Sequence, residues 1–246
     1  MDQQILILVA GIFLMAILYS LVGHGGASGY IAIMALLGFA PIIIRPTALV
    51  LNIVVSLVAA LTFMRARHFS WRLFWPFAAT AIPCSYLGGS ILLPPHLYRP
   101  LIGVLLLLAA FSLLRKKYQD DALTPTQNPP LAVSLILGGF LGLISGLSGV
   151  GGGIFLSPLL LLLNWGKARE VAGVSALFIL CNSLAGLAGH LNATSNLPSF
   201  IPLIAGMALL GGTLGSFYGS SRLRTPIIIK ALSLVLVIAG MKMMLS

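Results

Sequence analysis

The chain has 246 residues, 59% of them hydrophobic and only 7% charged, and a formal net charge of +10. Soluble domains carry about 25% charged residues, so this composition is that of an integral membrane protein. It leaves no room for a soluble catalytic module. The cations are scattered through short loops, where they act as orientation signals rather than as a nucleic-acid surface.

Residues 5–22 form the first apolar segment, with Asp2 ahead of it and no Lys or Arg. A secretory leader carries a basic start, so this segment reads as a membrane helix. Further apolar segments follow at 29–40, 47–64, 73–93 and 97–114. A polar, proline-containing link covers 115–130, and the pattern then repeats at 131–147, 153–163, 171–190, 200–218 and 227–245. A spanning helix needs about 20 residues. Eight segments qualify; the second and seventh are too short and each directly follows a glycine cluster.

Those clusters are Gly23-His24-Gly25-Gly26-Ala27-Ser28-Gly29 and Gly149-Val150-Gly151-Gly152-Gly153. An offset of 126 residues superposes Gly25-Gly26 on Gly151-Gly152 and Ser56 on Asn182. This predicts an internal duplication: a first five-helix repeat over 1–115, a linker over 116–130 and a second repeat over 131–246.

Charge decides whether the short segments cross. With ten crossings, eleven of the 14 Lys and Arg share one face, and only Arg45, Arg99 and Lys242 lie on the other. If the short segments turned back, the cations would split evenly. Cations accumulate in the cytoplasm, so ten crossings are expected. Both termini then lie outside and the linker is cytoplasmic. Five crossings per half is odd, which inverts the second half, a recurrent plan of secondary transporters. The expected fold is an all-α integral membrane protein of about ten transmembrane helices. They form two inverted repeats with short, broken helices 2 and 7, in a bacterial-type inner membrane.

Non-helical backbone survives at membrane depth only inside the protein or along a cavity. Each glycine cluster opens a helix, whose start carries unpaired N–H groups and partial positive charge. Glycine also lets a ligand approach the backbone closely. The two starts therefore suit a small anion held by Gly25, Gly26, Gly151, Gly152 and Gly153. Plain close packing of helices is the competing use of such glycines. His24, Ser28 and Ser148 flank the breaks; Asn52, Ser175 and Asn182 lie on the helices that follow. These are the candidate polar contacts, with helix–helix hydrogen bonding as their alternative role. His24 is also the candidate proton-titratable group.

The four acidic residues, Asp2, Asp120, Asp121 and Glu170, all lie outside the apolar segments. Cation carriers normally place one inside, so a metal-cation cargo is disfavoured. Cys84 and Cys181 stand in apolar segments without nearby ligand residues, as buried free thiols do. No metal, no cofactor and no enzymatic constellation is expected, and no Walker-type sequence for nucleotide occurs. The expected partners are a small anion and the lipid bilayer, with a homodimer left open.

The chain resembles the sulfite exporter TauE/SafE family of membrane permeases. The resemblance rests on Gly23-His24-Gly25-Gly26, on Gly149 through Pro158 with its Gly-Gly-Gly-Ile-Phe-Leu-Ser-Pro core, on Ala172-Gly173-Val174-Ser175 and on Leu214-Gly215. It implies transport, often export, of small sulfur-containing anions such as sulfite or organosulfonates. His24 and Ala27-Ser28-Gly29 depart from the family pattern at the suspected site. A non-transporting membrane subunit and an anion channel are the alternatives.

Overall fold

The computed structural model describes residues 3–21, 23–115, 127–190, 197–221 and 226–245. Most of the expected linker, at 116–126, lies outside them. So do the charged residues Asp2, Lys116, Lys117, Asp120, Asp121, Arg222 and Arg224.

Among the described residues, ten helices follow one another. They are α1 (Gln3–Ser20), α2 (Ala27–Leu36), α3 (Pro41–Arg65), α4 (Trp71–Ser90) and α5 (Pro95–Arg115) in the first half. In the second are α6 (Leu131–Ser148), α7 (Gly153–Leu162), α8 (Ala168–Gly189), α9 (Ile201–Ser221) and α10 (Pro226–Leu245). Among the described residues, five are long and apolar enough to cross a membrane: α1, α3, α6, α8 and residues 201–219 of α9. That is fewer than the eight segments the sequence suggests. Large apolar side chains such as Leu14, Leu57, Ile136, Phe140, Leu184 and Phe217 face outward. Serines and asparagines such as Ser56, Ser85, Asn52 and Asn182 are buried instead. That reversal of the soluble pattern suits a lipid surround.

The two short helices are built alike. Each has 10 residues, about 15 Å of rise, or half the hydrocarbon thickness. Each starts on a left-handed glycine, Gly26 (φ 95°) or Gly152 (φ 76°). Each ends in a Schellman turn on a left-handed residue. Gly38 N and Phe39 N donate to Ala35 O and Met34 O; Asn164 N and Trp165 N donate to Leu161 O and Leu160 O. Gly38 and Asn164 again stand 126 positions apart.

Contacts fix the helix directions. In α1–α2, Gly29 faces Tyr19, Gly11 faces Ile33, and Gln4 Nε2 donates to Leu37 O at 2.9 Å. The hairpin therefore returns to the end where it began. Residue 127, just ahead of α6, likewise bonds Asn164, just beyond α7, at 2.9 Å. α6 runs parallel to α4, with Gly138, Gly142 and Gly146 set on the carbonyls of Phe77, Ala81 and Ser85. α9 runs parallel to α1, with Gly211, Gly215 and Gly219 on the carbonyls of Phe13, Ile17 and Leu21. Small residues four apart let these backbones touch. α8 runs antiparallel to α3, and α10 antiparallel to α5. Odd-numbered helices thus point one way and even-numbered helices the other.

The packing has a twofold pattern. Exchanging α1–α5 with α6–α10 in order maps α4–α6 onto α9–α1, and α4–α8 onto α9–α3. It also maps α2–α10 onto α7–α5 and α7–α8 onto α2–α3, while α3–α8 and α5–α10 map onto themselves. The halves interleave rather than standing side by side. α3 and α8 lie at the centre, and the two glycine breaks meet against them.

Candidate functional site

The breaks carry left-handed backbone in register. Gly23 (φ 74°) corresponds to Gly149 (φ 79°), and Gly26 to Gly152; Gly151 (φ 83°) adds a third in the second break. All of these residues are buried. Side chains other than Gly rarely hold such angles, so the glycines are required by the chain path itself.

One residue joins the breaks. Asn52, near the middle of α3 and fully buried, accepts from Ala27 N at 3.0 Å through Oδ1. It thereby caps the first turn of α2. Its Nδ2 donates to Val150 O at 3.3 Å and lies 3.4 Å from Ser183 Oγ on α8. A Cβ added at Gly25 would stand 2.5 Å from Asn52 Oδ1, and one at Gly151 would stand 2.6 Å from Asn52 Nδ2. Both would also crowd Ile179, at 3.0 and 2.9 Å. The two clusters, so far apart in sequence, therefore abut one amide. Among the described residues, the N–H groups of Gly25, Gly26, Gly151 and Gly152 meet no acceptor. Buried donors of this kind are rare in folded proteins.

The other expected residues divide into two groups. His24 is buried at the first break, and its N–H donates to Tyr19 O at 3.0 Å. Asn182 is buried with both amide atoms unpartnered among the described residues, while its carbonyl accepts from Ser85 Oγ at 2.7 Å. Asn182 thus keeps amide capacity unused among the described residues, and His24 sets an imidazole at the first break. The remaining three use their hydroxyls locally. Ser28 Oγ donates to Tyr19 Oη at 3.0 Å. Ser148 Oγ donates to Ile144 O at 2.6 Å and accepts from Val150 N at 3.2 Å. Ser175 Oγ pairs with Ser157 Oγ at 2.7 Å across α7 and α8.

Arg45 departs from its sequence reading. Counting it among the cations of a face treats it as a surface charge, yet it is buried inside α3 at 3% exposure. Its Nε and Nη2 donate to Gly146 O at 3.1 and 2.7 Å. Nη2 also reaches Gly88 O and Gly89 O at 2.7 and 2.8 Å, and Nη1 reaches Ile91 O at 2.9 Å. These carbonyls belong to the ends of α4 and α6, where helix dipoles place partial negative charge. A buried guanidinium is held here by helix ends in place of a carboxylate. The exchange-related position carries Val171, so the device exists on one side only.

Comparison with known proteins identifies the family. A model of the sulfite exporter TauE/SafE family matches residues 7–243. The chain belongs to the TauE/SafE family. Its relatives include the probable membrane transporter protein y4hK of Sinorhizobium fredii (strain NBRC 101917 / NGR234). That protein is 40% identical over 246 residues, covering 99% of this chain and all of the relative. The probable membrane transporter protein YjnA of Bacillus subtilis (strain 168) is 29% identical over 238 residues, 89% of each chain. The probable membrane transporter protein YunE of the same organism is 24% identical over 213 residues, 79% of this chain and 77% of the relative. No solved structure matches the chain. Family membership makes this TauE/SafE protein a multi-pass membrane transporter, and its outward apolar surface agrees.

Proposed function

We propose that the protein is a secondary transporter, in the exporting direction, of a small sulfur-containing oxyanion such as sulfite or an organosulfonate. The guest is held where the two glycine breaks meet. The observation that carries this reading is the pair of left-handed helix starts abutting Asn52, with buried N–H groups left over. Gly25, Gly26, Gly151, Gly152 and Gly153 supply backbone donors and partial positive charge. His24, Asn52 and Asn182 supply side-chain polarity, while Ser28, Ser148 and Ser175 shape the surrounding hydrogen bonds. Access alternates as one repeat rocks against the other.

The reading takes the ten helices as ten passes in two inverted repeats, within a bacterial-type inner membrane, with both termini outside. Alternating helix directions and the twofold exchange of packed pairs support it. Two short helices, each half a bilayer long, meet their connecting breaks near mid-depth. Purified protein in liposomes is expected to move sulfite down its gradient, with the rate abolished in Gly152→Trp. Absence of protein-dependent flux for sulfite and for simple alkylsulfonates would refute the proposal.

A further inference from the structure

Tyr30 belongs to none of the residues above, yet its hydroxyl sits at the first break. The residue is in the first turn of α2 and is wholly buried. Helical side chains lean toward the N-terminus, so the ring runs back over the helix start. It passes the α-carbon of Gly26 so closely that an added Cβ there would stand 2.6 Å from both Tyr30 Cζ and Oη. Gly26 is therefore glycine for two reasons: its φ of 95° and the phenol lying on it. At that point the hydroxyl meets no partner among the described residues. A buried hydroxyl left without a hydrogen bond is costly.

The second break carries different side chains at the matched positions. Tyr30 corresponds to Leu156, Ser28 to Ile154 and His24 to Val150. There the space over Gly152 is taken by the Phe178 ring, whose Cε1 would lie 3.1 Å from an added Cβ. At these three matched positions the first break carries polar side chains and the second aliphatic ones. Phenol and helix-start N–H groups together form a neutral donor set, suited to a guest rich in oxygen acceptors.

We propose that the Tyr30 hydroxyl donates a hydrogen bond to an oxygen of the transported anion, and that the anion's oxygens sit against the first break. This rests on the transporter reading above and adds a specificity-determining residue to it. A donor to a charged acceptor contributes about 1.5–3 kcal/mol, or roughly tenfold to a hundredfold in affinity. In the empty protein the same hydroxyl adds no stability, since it meets no partner among the described residues.

The test uses the full chain purified in detergent, with sulfite and ethanesulfonate as probes. Unfolding midpoints are measured without anion, and affinities by titration well below each midpoint. Tyr30→Phe is expected to match or exceed the wild-type midpoint while losing roughly tenfold or more in affinity for the better-bound probe. Tyr30→Leu, which copies position 156, is expected to lose the same affinity even if its midpoint falls. Wild-type affinity in Tyr30→Phe would overturn the assignment and leave the transporter reading standing. So would a fall in its midpoint with affinity unchanged, which would make the hydroxyl a structural group. If the wild type binds neither probe, the anion site itself is refuted, and the assignment with it.

Discussion

Gly151 and Gly38 provide a measurement of what Asn52 contributes. Both hold nearly the same left-handed backbone, φ 83° and 81°. A Cβ at Gly38 meets nothing within 4 Å, whereas one at Gly151 lands 2.6 Å from Asn52 Nδ2 and 2.9 Å from Ile179 Cγ2. Gly38→Ala therefore bears the backbone cost alone, about 1–2 kcal/mol for an L-residue in this region. Gly151→Ala bears that cost and must also push Asn52 aside. Overpacking a tight interior costs about 1–3 kcal/mol. Moving the amide further weakens its bonds to Val150 O and Ser183 Oγ, worth about 0.6 kcal/mol each in a membrane protein. Gly151→Ala is thus expected to cost about 3–4 kcal/mol, some 2 kcal/mol more than Gly38→Ala. Reversible unfolding in mixed micelles measures both. In an Asn52→Ala background the gap should shrink, because the obstructing amide is gone. Equal costs for the two glycine variants would refute the idea that the breaks are locked against Asn52.

Two further outcomes follow from the packing. Arg45→Lys keeps the charge, but an ammonium cannot span Gly88, Gly89, Ile91 and Gly146 together; a loss of about 2 kcal/mol is expected. An unchanged unfolding midpoint for Arg45→Lys would show that the carbonyl clamp contributes nothing. On α6, Gly142→Ala drives a Cβ to 2.2 Å from Ala81 O, whereas Gly139→Ala meets only Cys84 and Thr80 atoms at 3.5 Å or more. The first should lower stability by more than about 2 kcal/mol and the second by less than about 0.5 kcal/mol. Comparable midpoints for the two variants would contradict the α4–α6 packing.

The two short helices are legible because their signals are local. Glycine clusters, short apolar runs and their spacing are all written in order, and they led to helices 2 and 7 with their left-handed starts. Asn52 was found by residue type, as an amide in an apolar segment, but its bridging role was not visible. That role depends on α3 passing between two clusters more than 120 positions apart, which no periodicity encodes. Arg45 was misplaced for a related reason. A cation at the edge of an apolar segment looks like a loop residue until the ends of α4 and α6 are seen to converge on it. Tyr30 was missed because a tyrosine beside a glycine break has the same sequence signature as an interface anchor or a core ring. Only the approach to Gly26 distinguishes it. Ser28, Ser148 and Ser175 take the local hydrogen bonds that the sequence offers as their alternative role, because hydroxyls in apolar surroundings find the nearest acceptor.

Divergence between the halves follows from where the exchange axis falls. α3 and α8 pack on each other across it, so their central residues compete for one volume. An exact duplication would bring two copies of the same side chain there. In this chain Asn52 stands on α3, and the corresponding residue of α8 is Phe178. The amide reaches both breaks with an acceptor and a donor; the ring covers Gly152 and offers neither. One amide already reaches both helix starts, and a second copy would have to occupy the same volume. The same division runs outward: Arg45 opposite Val171, His24 opposite Val150, Tyr30 opposite Leu156. The backbone keeps the twofold pattern while the side chains at these matched positions are polar in the first half and apolar in the second. At the proposed site a guest would meet two similar helix starts but two different sets of side chains, an asymmetry that would orient it.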